Sequence, residues 1–188
     1  MAGPAGQVKP CPRKGIFVKR AAMVAMAHAS EEPAGFVLTL AGEDAALSLG
    51  ARLAAVCRPG DVIALWGGLG MGKTVIARGF VQALLGADEE VPSPTFTLVQ
   101  PYDGADATVH HFDLYRLNDP EEAFELDIED AFAEGISLIE WPERLGPYLP
   151  AGRLDIKLSP GESETQRRVQ LSGGGDWTER LKRAELHD

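Results

Sequence analysis

One run of residues has the types and spacing for phosphate chemistry: Gly67-Gly68-Leu69-Gly70-Met71-Gly72-Lys73-Thr74. It fits the pattern G-x-x-x-x-G-K-[ST] in full. Small residues let successive backbone N–H groups turn inward around an anion, and the helix that follows presents its positive end to it. In such a loop Lys73 bridges the β- and γ-phosphates of a nucleotide and the Thr74 hydroxyl ligates Mg²⁺. A glycine-rich turn could match by chance. Here, however, an apolar run precedes the loop and an amphipathic pattern begins inside it, which is the setting the chemistry needs.

Such a loop also needs acids at the ends of neighbouring strands, to hold the metal and orient water. Asp113 closes the run Thr108–Tyr115, within His110-His111-Phe112-Asp113-Leu114-Tyr115-Arg116. Glu140 follows the apolar Ser137-Leu138-Ile139 and opens into Trp141-Pro142-Glu143. Either could be a solvated strand-end carboxylate; beside this loop both read as functional. Ser93-Pro94-Thr95-Phe96-Thr97 lies some twenty residues past Lys73, where Thr95 could sense a γ-phosphate as switch segments do. His110 and His111 are adjacent in an expected strand, so they face opposite ways and do not readily share a metal. They read as structural or hydrogen-bonding histidines. Trp66, Trp141 and Trp177 read as core or loop anchors, and the acidic stretch Asp119–Asp130 as a solvated helix face or a docking surface for a basic partner.

The elements that must position these groups follow from hydrophobic periodicity. Gly35–Leu40 reads as a first strand, and a helix opens at Glu43 with Leu49, Leu53 and Val56 on one face, stopped by Pro59-Gly60. Asp61–Trp66 reads as a buried strand feeding the loop, and the next helix carries Ile76, Phe80 and Leu84 to Gly86. Thr95–Tyr102 and Thr108–Tyr115 read as strands joined through Asp103-Gly104. A short acidic helix is expected over Pro120–Phe132, strands over Ile136–Glu140, Leu154–Leu158 and Val169–Leu171, and a last helix from Trp177. The pattern predicts a P-loop-type α/β sandwich of three layers. Its sheet should be mixed, because the two hairpin-like strands are too close for a crossover.

Composition narrows the classes. With 188 residues, 45% hydrophobic and 24% charged, the chain suits one globular domain, expected over 35–188, and excludes wholesale disorder or fibrous repeats. No stretch reaches the ~18 apolar residues of a membrane span. Two cysteines, Cys11 and Cys57, exclude a disulfide framework and point to a reducing, cytoplasmic setting. The net charge of −10 is uneven: residues 1–20 carry +5 through Lys9, Arg13, Lys14, Lys19 and Arg20, leaving −15 on the rest. Residues 1–34 read as a basic, disordered leader. It has a faint likeness to a secretory signal at Ala21–Ala29, and Met23 and Met26 are alternative starts.

Four runs stand in order at close spacing: Gly-Gly-Leu-Gly-Met-Gly-Lys-Thr, Ser-Pro-Thr-Phe-Thr-Leu-Val, His-Phe-Asp-Leu-Tyr-Arg-Leu and Leu-Ile-Glu-Trp-Pro-Glu. Together they resemble the TsaE family (formerly YjeE), bacterial ATPases of tRNA threonylcarbamoyl-adenosine synthesis. The resemblance spans Gly35 to Leu171. It implies binding of ATP and Mg²⁺, slow hydrolysis, and work with the TsaB–TsaD heterodimer, which carries out the transfer to adenosine 37; contact with tRNA would be indirect. It assigns Lys73 and Thr74 to phosphate and Mg²⁺, Glu140 to the metal, Asp113 to the family's His-Phe-Asp acid, and Thr95 to a switch-like loop. The family commonly has a non-glycine residue at Gly68 and alanine at Met71. Three other readings have their own marks. A small-molecule kinase would carry an arginine-rich lid, and Arg144, Arg153, Arg167 and Arg168 are scattered. A guanine-nucleotide switch would carry Asn-Lys-x-Asp, which the chain lacks. A binding module with a vestigial loop would show no nucleotide response.

Overall fold

The computed structural model describes residues 35–186; the expected leader lies outside the described residues. The strands are β1 (Phe36–Leu40), β2 (Val62–Trp66), β3 (Val99–Asp103), β4 (Thr108–Asp113), β5 (Ile136–Glu140), β6 (Leu154–Pro160) and β7 (Arg167–Gly173). The helices are α1 (Glu43–Ala54), α2 (Lys73–Leu85), α3 (Ile128–Glu134) and α4 (Trp177–Arg183). Short 3₁₀ segments cover Pro120–Leu126 and Pro142–Tyr148.

The seven strands form one sheet in the order β1-β7-β6-β2-β5-β4-β3. Strands β6, β2, β5 and β4 run parallel at its centre, while β3 and the β7–β1 pair are antiparallel flanks. Only residues 104–107 join β3 to β4, too few for a crossover, so that pair is a hairpin. The central strands are apolar on both faces because both are covered. Ile63, Leu65, Val109 and Leu138 meet Leu49, Leu53, Ile76 and Phe80 in the larger core. On the other face Val62, Phe112 and Ile139 meet Ala123, Ile128, Ala131 and Leu145. Helices α1 and α2 thus cover one face and the 3₁₀ segments with α3 the other. The result is an α/β sandwich of three layers with a mixed sheet.

Helix α2, which carries the loop's lysine, is seated by a backbone contact. A Cβ on Gly79 would collide with the Leu47 carbonyl, and one on Gly50 with the Ile76 carbonyl. The two helices therefore touch where each has no side chain, which sets the close spacing of α2 against α1.

The structure differs from expectation at four places. The strand expected from Thr95 begins only at Val99: Thr95–Thr97 form a turn, the Leu98 N–H donates to the Pro94 carbonyl at 2.7 Å, and Leu98 sits at φ 66°. A left-handed leucine cannot extend a strand. The single helix expected over Pro120–Phe132 is two pieces, parted by Asp127 at φ 53°. The segment Pro142–Tyr148, with proline at its first position, has no counterpart among the elements expected from periodicity. Strand β4 also ends at Asp113, where the Leu114 N–H donates to the Glu140 carbonyl.

Candidate functional site

Strand β2 delivers the chain to Gly67, and α2 takes it up again at Lys73. Gly67 (φ 141°) and Gly72 (φ 98°) occupy backbone regions that side chains resist. At Gly67 a Cβ would also press on the Leu158 carbonyl of β6. Gly68 is different: its φ is ordinary and a Cβ there would meet nothing, so a side chain at that position costs the loop nothing. The first turn of α2 holds no acid and no side chain caps it. Its positive end is left for an anion. Leu69, at the loop's tip, is 82% exposed, whereas Met71 packs against the larger core. Gly70 (φ 73°) accepts from Arg167 Nη2 at 3.4 Å.

Lys73 is buried, and its Nζ donates to the carbonyls of Gly67 (2.7 Å) and Gly68 (2.9 Å). The ammonium also lies 3.9 Å from the centre of the Trp141 ring, whose backbone is left-handed at φ 59°, a cation–π contact. Burial pushes the Lys73 pKa below its ordinary value, against the pull of Glu140, Asp113 and Glu143.

The sheet register brings the two expected acids together. Leu65 pairs with Glu140 and Glu140 with Asp113, so the ends of β2, β5 and β4 stand in a row. Both carboxylates are buried. Glu140 Oε1 accepts from Thr74 Oγ1 at 2.7 Å and lies 3.0 Å from His111 Nε2. Asp113 Oδ2 accepts from Ser93 Oγ (2.7 Å) and Thr95 Oγ1 (2.5 Å), and its Oδ1 from the Tyr115 N–H. The Thr95 loop is therefore tied to the acid, not to the phosphate loop. Tyr115 leans on Trp141, ring centres 4.8 Å apart.

Thr74 and Glu140 supply two hard oxygen donors, the set that suits Mg²⁺, which keeps waters and substrate phosphates in its remaining places. Among the described residues no three His, Cys, Asp or Glu gather into a cage of their own. Beside the loop lies a hollow of about 150 Å³ lined by Leu40, Gly42, Met71, Val75, Thr165 and Arg167.

The structure gives Trp141 a different part from the one its sequence context suggests. Trp141 reads as an anchor, yet it supports Lys73; its position straight after a strand-end acid is the available signal. His111 reads as a hydrogen-bonding histidine with no named partner. Its spacing of two from Asp113 puts it on the acids' face, and only the register reveals that its partner is Glu140.

A parallel-centred sheet, a strand–glycine loop–helix unit and acids on the adjoining strand ends define a P-loop NTPase-like protein. The model of the family described as "Threonylcarbamoyl adenosine biosynthesis protein TsaE" matches residues 40–169, and the chain belongs to the TsaE family. It is similar to the tRNA threonylcarbamoyladenosine biosynthesis protein TsaE of Nostoc sp., 37% identical over 139 residues, 71% of this chain and 83% of that protein. The Bacillus subtilis protein of the same description is 36% identical over 128 residues, 68% and 79% of the two chains. Among solved structures, Bacillus subtilis YdiB superposes with a TM-score of 0.66 at 28% identity, covering 84% of this chain and 97% of that one. No helix among the described residues is long and apolar enough to cross a membrane.

Proposed function

We propose that the chain binds ATP with Mg²⁺ and hydrolyses it slowly to ADP and phosphate. The hydrolysis serves the threonylcarbamoyl modification of adenosine 37 in tRNA, in the cytoplasm and together with the TsaB–TsaD heterodimer. One observation carries the ATPase part: the Thr74 hydroxyl at the first turn of α2 meets the Glu140 carboxylate at a strand end, beneath a loop whose backbone can ring an anion. Family membership and the names of its relatives support the tRNA part.

In this reading the loop N–H groups and Lys73 hold the phosphates, and Trp141 keeps the lysine over the loop. Thr74 and Glu140 hold the ion, which when bound neutralises charge on the β- and γ-oxygens. Asp113 orients the attacking water and accepts its proton. Ser93, Thr95 and the Tyr115 N–H fix that carboxylate's direction, so the Ser93–Thr97 loop reports on the acid's state. The hollow beside Met71 is placed to take the nucleotide's base. Contact with tRNA is indirect; a net charge of −10 disfavours a direct grip on phosphate.

ATP binding and hydrolysis, measured with and without purified TsaB–TsaD and with Glu140→Ala as control, test the proposal. Hydrolysis that rises with the partners and fails in the variant is expected. Tight ATP binding without any partner effect would leave the nucleotide site and remove the partnership. Phosphate transferred to a metabolite in place of water would make the protein a kinase.

A further inference from the structure

The geometry points to His111 as a positioning residue: we propose that its Nε2–H holds the Glu140 carboxylate in the one orientation that serves the metal. This rests on the ATP and Mg²⁺ reading above and adds a residue to it.

His111 lies fully buried in β4, between Val109 and Asp113 on the face that carries Glu140. Its Nε2 is 3.0 Å from Glu140 Oε1, the same oxygen that accepts from Thr74 Oγ1 at 2.7 Å. Two donors from different elements, a strand and the loop helix, thus converge on one oxygen. Among the described residues no donor reaches Oε2. The carboxylate is pinned by one oxygen and offers the other.

The tautomer follows from the surroundings. Nδ1 is enclosed and has no partner, so the ring's one dependable contact is with the carboxylate. A neutral ring with its proton on Nδ1 would set a lone pair against Glu140 Oε1. A proton therefore sits on Nε2, facing the carboxylate. Burying an unsatisfied ring nitrogen is unfavourable. An aliphatic side chain would fill this interior strand position without that cost. What the imidazole alone supplies is the second donor to Glu140.

Without that donor only the Thr74 hydroxyl holds Glu140, and the Lys73 ammonium, close enough for their charges to interact, competes for it. Outer partners of this kind are commonly worth 10–100-fold in metal affinity.

Three variants and one readout test the assignment. The glutamine amide nitrogen can occupy the place of Nε2, whereas asparagine reaches only the place of Nδ1 and leucine has no donor. Thermal melting and fluorescent-ATP binding are followed as Mg²⁺ is raised. His111→Asn and His111→Leu are expected to need 10–100-fold more Mg²⁺ for half of the nucleotide response. His111→Gln should stay within about threefold of the parent, on the same outer-partner scale. A purely packing role would lower the melting temperature of all three and leave the Mg²⁺ midpoint alone. A folded Asn or Leu variant with the parent's midpoint therefore overturns the assignment. If Leu fails to fold, the Asn–Gln pair still separates a donor role from a packing role. A parent protein whose nucleotide response ignores Mg²⁺ would overturn both this assignment and the metal reading beneath it.

Discussion

Two buried polar networks sit about one sheet, and they are finished differently. On the α4 side, Arg180 is 6% exposed and every arm of its guanidinium is used. Nε and Nη2 donate to the Val56 carbonyl at 3.0 and 2.8 Å, Nη1 to Asp61 Oδ1 at 3.0 Å, and Nη2 also to Asp61 Oδ2. The plane lies 3.9 Å from the Trp177 ring centre. At the strand ends of β2, β4 and β5, by contrast, the hydrogen bonds Lys73 makes go only to loop carbonyls, although its ammonium also meets a ring, that of Trp141; His111 Nδ1 has no partner, and two donors crowd one oxygen of Glu140. Burial opposes both cations. Asp61's hydrogen bond and charge more than offset it and raise the Arg180 pKa, whereas for Lys73 burial prevails and the pKa falls. A network that only holds the fold together saturates its donors. One that handles a ligand keeps capacity in reserve, at a cost in stability.

Asp113→Asn tests the reserve most severely. Loss of a positioned proton acceptor typically costs 10²–10⁴-fold in rate, so kcat should fall at least about a hundredfold. ATP affinity and the melting curve should stay near those of the parent. Single-turnover hydrolysis beside a binding isotherm checks this, and a variant that hydrolyses ATP at the parent rate would remove Asp113 from the chemistry.

Arg180→Met attacks the saturated network and should give the opposite profile. It leaves Asp61 nearly buried without its partner, a loss in the range of ~3–5 kcal/mol, or roughly 6–20 °C in melting temperature for a chain of this size. ATP binding per folded molecule should not change. If nucleotide affinity fell while stability held, the division between the two networks would be wrong.

Lys73→Ala comes third. Charge-assisted contacts to phosphate are each worth about 1.5–3 kcal/mol, so ATP should bind roughly 10–150-fold more weakly. The fold should survive, because the lysine's own bonds in the structure are to loop carbonyls that solvent can serve.

How much of this is legible in the sequence differs between the two networks for a physical reason. The loop Gly67–Thr74 is local, so type and spacing alone fix it, and the end of β5 follows from an apolar run that stops at an acid. The pairing of Asp113 with Glu140 depends on strand order, which periodicity does not encode. The Arg180 network leaves no mark on the sequence: Arg180 and Asp61 are 119 positions apart, and an arginine in a short terminal helix looks like any exposed one. The Thr95 turn reads as strand because its left-handed Leu98 answers to tertiary contacts, not to leucine's own preference.

The mildest expectation sharpens the contrast within a single strand. His110 and His111 are neighbours in β4 facing opposite sides of the sheet. Half-buried His110 has its pKa lowered by burial, against the charge of Asp103. A histidine whose folded pKa lies below its unfolded ~6.5 binds fewer protons when folded. Stability is then intact above about pH 6.5 and declines as pH falls through that value toward the folded pKa. The melting temperature should therefore drop between pH 7 and 5, and His110→Gln should flatten part of that slope while leaving the Mg²⁺ midpoint of the nucleotide response where it was. Thermal melts across that range, without and with ATP, separate the two faces. If His110→Gln shifted the Mg²⁺ midpoint and left the pH slope alone, the far face of β4 would belong to the site after all.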